Sequence, residues 1–457
     1  MSNNSRKMDR SEFLKIMGAA ALTTAAATSC VGGAAKKSIL TEEAQAAQGE
    51  FTVRTSSKGE KIGLLGYGCM RWPLLKNPPK GVSIVDQEAV DDLVDYALEH
   101  GVNYFDTAPR YIQGWSEPTM GISLSRHPRE KYLIATKLSN QASPSREASL
   151  EMYHNSFERL KVDYIDYYLL HSVGNSIKNF NERFIDNGVL EYLLKEREEG
   201  RIRNLGWSFH GNVETFDAIL ALHEKYHWDF VQIQLNYSDW RHARGANVNA
   251  EYLYGELEKR DIKVIVMEPL LGGRLSNLPE YLMDRLIQRE PDQSVASWAF
   301  RFAASHKNVL CVLSGMTYLE HLQDNLGTYS PLKPLSEEEL IFLERTAEMI
   351  MEYPTVDCND CDYCMPCPYG LDIPGIFTHY NKCITEGNFA SSRGDENYKK
   401  ARRAYLISYD RAIPSRRQAD HCISCRKCVE HCPQSIDIPA QLTHINNYIE
   451  KLRQGIL

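Results

Sequence analysis

DQEAVDDLVDYALEHGVNYFDTA, residues 86–108, carries two structural periods in succession. In its first part Val90, Leu93, Val94, Ala97 and Leu98 recur at three- and four-residue spacing, which gives a helix one apolar face, and Gly101 stands where a C-terminal cap is expected. Its second part, YFDTA at 104–108, is short, aromatic and apolar, as a buried strand is. Working outward, the same couplet recurs along most of the chain. The strand candidates are 62–68 IGLLGYG, 104–108 YFDTA, 132–137 YLIATK, 164–171 YIDYYLLH, 202–208 IRNLGWS, 230–236 FVQIQLN, 263–269 KVIVMEP and 309–315 VLCVLSG, with stretches of helical period between them. Eight such units predict an α/β chain closed into a (β/α)8 TIM barrel over residues 51–345.

The 457 residues leave room for a second, smaller domain at 346–457. The formal charge of −8 is spread over both signs without a long block of one, so composition gives no reason to expect a nucleic-acid partner. At the N-terminus Arg6, Lys7, Arg10 and Lys15 precede IMGAAALTTAAATS, an apolar run too short to span a bilayer. Residues 1–30 therefore resemble a secretion signal. DRSEFLK resembles the twin-arginine export motif with Ser11 in place of the second Arg, and Ala27-Thr28-Ser29-Cys30 is a loose lipobox that would put a lipid anchor on Cys30. Export and cytoplasmic retention both stay open. Residues 31–50 read as a linker.

In a (β/α)8 barrel, chemistry belongs at the C-terminal ends of the strands. Asp106 ends the second strand candidate, Tyr111 lies in the loop after it, Lys137 ends the third and His171 the fourth. A phenol is a poor acid at neutral pH unless a nearby ammonium stabilises its phenolate, and a carboxylate must hold that ammonium in place. Tyr111, Lys137 and Asp106 are residues of those types. His171 could then donate a hydrogen bond to a substrate carbonyl and favour developing negative charge on its oxygen. The set suits proton transfer coupled to hydride transfer.

GVNYFDTAPRY, YLIATK and YIDYYLLH resemble the signature segments of the aldo/keto reductase family, and the resemblance spans roughly residues 51–330. It implies that Asp106, Tyr111, Lys137 and His171 are the catalytic tetrad of a carbonyl/alcohol oxidoreductase using NADP or NAD. It also implies that Ser208 and Gln232 hold the nicotinamide carboxamide, and that Gly315, Met316 and the helix through Asp324 and Asn325 lie near the adenosine end. Met267 stands where many relatives place an aromatic ring against the nicotinamide. His321 stands where some place an Arg on the 2′-phosphate, which leaves NADP versus NAD open. Gln234 competes with Gln232, since alternate residues of a strand face the same way.

Eight of the twelve cysteines form two clusters, CNDCDYCMPCP with Cys358, Cys361, Cys364 and Cys367, and CISCRKCVEHCP with Cys422, Cys425, Cys428 and Cys432. Each runs into a similar segment, CPYGLDIPGIFTHYN and CPQSIDIPAQLTHIN, at an offset of 65. This is an internal duplication in which Asp372 and Asp437 are expected to cap helices that tolerate a Pro in their first turn. A disulfide framework suits small coreless domains, and structural zinc favours two separated cysteine pairs. C-x2-C-x2-C instead fans three thiolates toward one iron cube, so the pair of loops predicts two [4Fe–4S] clusters, or one if the contracted first loop has lost its own. By analogy with two-cluster ferredoxins, Cys432 would join Cys358, Cys361 and Cys364, and Cys367 would join Cys422, Cys425 and Cys428. The loops leading into helices resemble α-helical ferredoxins, a mostly α-helical dicluster appendage found on a subgroup of aldo/keto reductases.

Cys69 and Cys311 lie in strand-like runs and read as inert core thiols. Lys399, Lys400, Arg402, Arg403, Arg416 and Arg417 form either a solvated helix face or a dock for an acidic redox partner protein. Three functions follow: an oxidoreductase exchanging electrons with its clusters, a simple carbonyl reductase with structural or sensing clusters, and a non-catalytic redox-responsive nicotinamide-binding module.

Overall fold

The computed structural model describes residues 50–76, 83–174, 176–245 and 247–457. The leader-like stretch, nearly all of the linker and Cys30 lie outside these residues. Among the described residues, no helix is long and apolar enough to cross a membrane.

Eight parallel strands close the barrel: β3 (Leu65–Gly68), β4 (Tyr104–Asp106), β5 (Leu133–Leu138), β6 (Ile165–Val173), β7 (Ile202–Phe209), β8 (Phe230–Gln234), β9 (Lys263–Met267) and β10 (Val309–Ser314), with β10 pairing back onto β3. All eight predicted strands are present. The first, IGLLGYG, is broken in two: Lys61–Gly63 is β2, which pairs antiparallel with β1 (Val53–Thr55), and only Leu65–Gly68 enters the barrel. The hairpin closes the bottom of the barrel, where Ile62 joins the interior cluster of Tyr104, Tyr167, Leu169, Phe230, Ile265 and Leu313. Tyr167 also donates to Glu60 of the hairpin at 2.6 Å.

The helix of the opening stretch runs Gln87–Glu99 and is capped by Asp86, which accepts from the Ala89 N–H; Val90, Leu93, Val94 and Ala97 are its buried residues. They join the larger core between strands and helices, where Cys69 is buried too, while Cys311 is buried in the barrel interior.

Helix Glu337–Met351 starts on a capping box between Ser336 and Glu339 and runs straight through the expected domain boundary at 345/346. Its buried Leu343, Ala347 and Ile350 belong to the core of the barrel. A separate core begins at Val356 and is built by helices Ile373–Thr385, Tyr398–Ala412 and Ile438–Gln454. The two duplicated helices begin alike: Asp372 accepts from Gly375 N–H and Asp437 from Ala440 N–H, each with proline in the first turn.

Candidate active site

The strand ends around β4, β5 and β6 converge on one cavity of about 540 Å³, a size ordinary for a small-molecule site. Asp106, at the end of β4, is buried and accepts from Lys137 Nζ at 2.5 Å and from Gln232 Nε2 at 3.1 Å. Lys137 has a second acceptor in the Thr107 carbonyl at 2.8 Å, and its ammonium lies 5.0 Å from the centre of the Tyr111 ring. The Tyr111 and His171 rings meet edge to face at 6.0 Å. Four side chains spread over 66 residues of sequence are thus drawn to one point because the register of a parallel barrel brings successive strand ends together.

Burial dominates the electrostatics here. It pushes the Asp106 carboxyl up and the Lys137 ammonium down, and their mutual attraction opposes both shifts. His171 is held well below its ordinary range by burial and by the charges of Lys137, Arg183 and Arg110, so its imidazole is neutral. Tyr111 is raised well above the ordinary phenol value, first by burial and then by Tyr363 and Asp106. Burial thus keeps Tyr111 a protonated donor in the resting site, with the Lys137 ammonium beside its ring. A proton transfer from Tyr111 to an acceptor held at His171 needs both the protonated phenol and the neutral imidazole. Its pH–rate profile is therefore expected to be flat from about pH 6 to about pH 9; an inflection inside that window would reassign the acid.

Ser208, Gln232, Met267, Gly315, Asp324 and Asn325 all line the same cavity. Ser208 Oγ accepts from the Ser172 N–H at 2.8 Å, and Asn325 donates to Ser314 Oγ at 3.0 Å. Met316 does not line it: its side chain is in the core, and the neighbouring Thr317 faces the cavity instead. Gln234 is engaged elsewhere, with Asp239 and with Gln434 of the second cysteine repeat, so Gln232 is the strand residue that faces the site.

The match of the aldo/keto reductase family covers residues 64–345, more than half of the chain. The chain belongs to the aldo/keto reductase family. It is 27% identical over 313 residues to an uncharacterised oxidoreductase of Bacillus subtilis, covering 62% of this chain and 92% of that one. L-galactose dehydrogenase of Arabidopsis thaliana is 24% identical over 316 residues, 64% of this chain and 92% of its own length. Among solved structures, the holo form of an aldo-keto reductase from Bacillus halodurans superposes with a TM-score of 0.52 at 24% identity, covering 65% of this chain and 96% of that one. An aldo-keto reductase from Klebsiella pneumoniae in complex with NADPH gives 0.51 at 21% identity, over 64% of this chain and 95% of its own. The chain is an aldo/keto reductase-type oxidoreductase.

Several residues around this reductase site escaped the sequence reading. Ser139 hydrogen-bonds His171 Nδ1, and as donor it leaves the ring proton on Nε2, the nitrogen facing the cavity. A signal existed, since Ser139 follows Lys137 by two residues and so shares its side of the strand end. Arg183 donates to the His171 carbonyl at 2.7 Å and fixes the backbone there. Glu268, Asn359, Cys361 and Tyr363 also line the cavity, the last three supplied by the first cysteine loop. Asn359 Nδ2 donates to Glu268 at 2.8 Å, and its carbonyl accepts from Arg71 at 2.7 Å.

The cysteine loops share a backbone shape. Asp360 and Asp362 in the first, and Ser424 and Arg426 in the second, take left-handed φ values of 56°, 63°, 58° and 61°. Cys358, Cys361, Cys364 and Cys432 line one small cavity walled by Ile373, Pro374, Phe377, Ile436 and Ile438. The Asp360 N–H points at Cys358 Sγ at 3.4 Å, and burial pushes the Cys358 thiol up to about 12. In the second set, Cys422, Cys425 and Cys367 are the thiols that neighbour Cys428. All eleven described cysteines are free, so no disulfide framework exists among the described residues.

Proposed function

We propose that this reductase interconverts a carbonyl and an alcohol with NADPH, or NADH, and carries two [4Fe–4S] clusters in an appended module whose core begins at Val356. The observation that carries the first part is the convergence of Asp106, Tyr111 and His171 on the cavity that Ser208, Gln232 and Asn325 also line, with Lys137 behind them against Asp106 and the Tyr111 ring. The nicotinamide complex of the Klebsiella protein, of the same fold, favours NADPH.

Bound NADPH would supply the hydride for the carbonyl carbon. The residues do the rest. Ser208 and Gln232 orient the carboxamide of the cofactor. His171, neutral and with its proton on Nε2, donates to the carbonyl oxygen and sets its angle. Tyr111 gives that oxygen its proton as negative charge develops, forming the alcohol, and regains a proton from solvent. As the phenol proton leaves, the Lys137 ammonium, held by Asp106 and Thr107, stabilises the charge left on Tyr111. In the oxidative direction the same groups run in reverse.

For the clusters, the two thiol sets match the donors such groups use, one being Cys358, Cys361, Cys364 and Cys432, the other Cys422, Cys425, Cys428 and Cys367. Backbone N–H groups turned toward sulfur by the left-handed residues are the usual complement to a thiolate cluster. Cys361 lines both its thiol cavity and the reduction cavity, which favours electron exchange over a purely structural role. Anaerobically purified protein is expected to hold about eight irons and eight sulfides per chain, the content of two four-iron cubes, and Cys361→Ser to lose about half of them. Zinc in place of iron would overturn the assignment. Bleaching of the visible absorbance on NADPH addition would support exchange, and active reduction without bleaching would make the clusters structural.

A further inference from the structure

The two cysteine loops have the same backbone shape but different side chains at one position. In the second, Cys425-Arg426-Lys427-Cys428 leaves Lys427 exposed; in the first, Cys361-Asp362-Tyr363-Cys364 turns the phenol of Tyr363 into the reductase cavity. The loop therefore does not need an aromatic ring there, and its reason lies in what the ring meets.

Tyr363 meets the two groups that handle the substrate oxygen. Its hydroxyl lies 3.5 Å from His171 Nε2, with the rings edge to face at 6.2 Å, and it lines the same cavity as Tyr111, whose own ring meets His171 edge to face at 6.0 Å. The Arg110 guanidinium sits 5.8 Å from the centre of its ring. A carbonyl oxygen undergoing reduction has to accept from Tyr111 and stand at His171 Nε2. The Tyr363 oxygen is already at that junction. The loop beneath it is pinned to the barrel through Asn359, Arg71 and Glu268, so the backbone does not carry the phenol away; only its side chain can turn.

Building on the carbonyl-reductase reading, we propose that Tyr363 is a specificity-determining residue whose hydroxyl holds the place of the substrate carbonyl oxygen between Tyr111 and His171. Each substrate displaces it, and the displaced ring becomes the wall that limits the size of the group beside the carbonyl. The selected substrates are those whose carbonyl carries one small substituent, aldehydes ahead of ketones bulky on both sides. Because the wall comes from the cysteine module, the module sets the selectivity of the barrel.

The test uses the full-length protein, purified anaerobically, with NADPH and 4-nitrobenzaldehyde. Tyr363→Phe removes the competing hydroxyl and keeps the ring. It is expected to lower KM and raise kcat/KM by about three- to tenfold, the factor one hydrogen bond of ordinary net strength is worth, with kcat within about twofold of wild type. Tyr363→Ala is expected to raise kcat/KM for benzophenone relative to 4-nitrobenzaldehyde by at least about tenfold, the range that a few methylenes of pocket space command. General damage to the fold would lower kcat/KM and cannot produce the increase. An unchanged KM in Tyr363→Phe, or one that rises, would overturn the proposal, the latter by making Tyr363 a donor to substrate. Wild-type protein without Tyr111-dependent reduction would instead remove the underlying carbonyl-reductase reading, whatever Tyr363 does.

Discussion

Tyr111→Phe is expected to lower kcat/KM for NADPH-driven reduction of 4-nitrobenzaldehyde by about 10²- to 10⁴-fold, the range a positioned general acid supplies. Tyr111 is the phenol that stands beside both His171 and the Lys137 ammonium, while His171 is held neutral by burial and Lys137 donates to Asp106 and Thr107. The isosteric ring keeps the edge-to-face contact with His171, so the loss should appear in kcat rather than in NADPH affinity, followed by nicotinamide fluorescence. A variant retaining more than about a tenth of wild-type activity would show that the proton comes from elsewhere, and Tyr363 would be the first group to examine.

The second large effect is structural and falls at the seam between barrel and module. Gly272 has φ +65°, and a Cβ there would stand 2.4 Å from the Asn359 carbonyl oxygen and 2.8 Å from its Cα. Alanine at 272 adds a left-handed backbone penalty to a clash with main chain that cannot rotate aside. Together these are worth roughly 2–5 kcal/mol. The first cysteine loop should lift from the barrel, and hydrogen exchange over residues 356–364 should quicken well before the barrel strands respond. By contrast Gly255→Ala, at an open position inside helix Ala250–Glu258, should stabilise by about 0.5–1 kcal/mol. Equal protection of the loop in Gly272→Ala and wild type would mean that the seam tolerates the extra methyl.

The same seam explains what was hard to read from the chain alone. Gln234 looked like a rival for the nicotinamide carboxamide because it shares the inward side of β8 with Gln232. Only the docked module separates them: Gln434 donates to Gln234 Oε1 at 3.0 Å, while Gln232 stays with Asp106 in the cavity. Met316 was placed in the site by its neighbours in sequence, yet its side chain packs in the core and its carbonyl accepts from Tyr67. A loop position does not dictate which way its side chain turns. The broken first strand has a similar origin: IGLLGYG is apolar throughout because Ile62 plugs the barrel floor while Leu65 and Tyr67 face outward into the helical layer, and a single apolar run cannot tell those two burials apart.

By itself the sequence determined the barrel, because eight alternations of apolar strand and amphipathic helix admit few other closed arrangements. It also foretold that Asp106, Tyr111, Lys137 and His171, the proposed catalytic set, would meet, because strand ends of a parallel barrel share one face. The duplication, its capped helices and the cysteine spacings were legible as well, being local patterns of a few residues each. The tertiary structure decided what depends on contacts between segments far apart in the chain: that helix Glu337–Met351 serves the barrel core across the expected boundary, that burial keeps Tyr111 protonated in the resting site, and that the first cysteine loop closes over the reductase cavity. Asn359 and Glu268 are 91 residues apart, and Tyr363 and His171 are 192 apart. No period within either segment encodes such a meeting; it follows from the complementary shapes of two folded surfaces, which exist only once each core has formed.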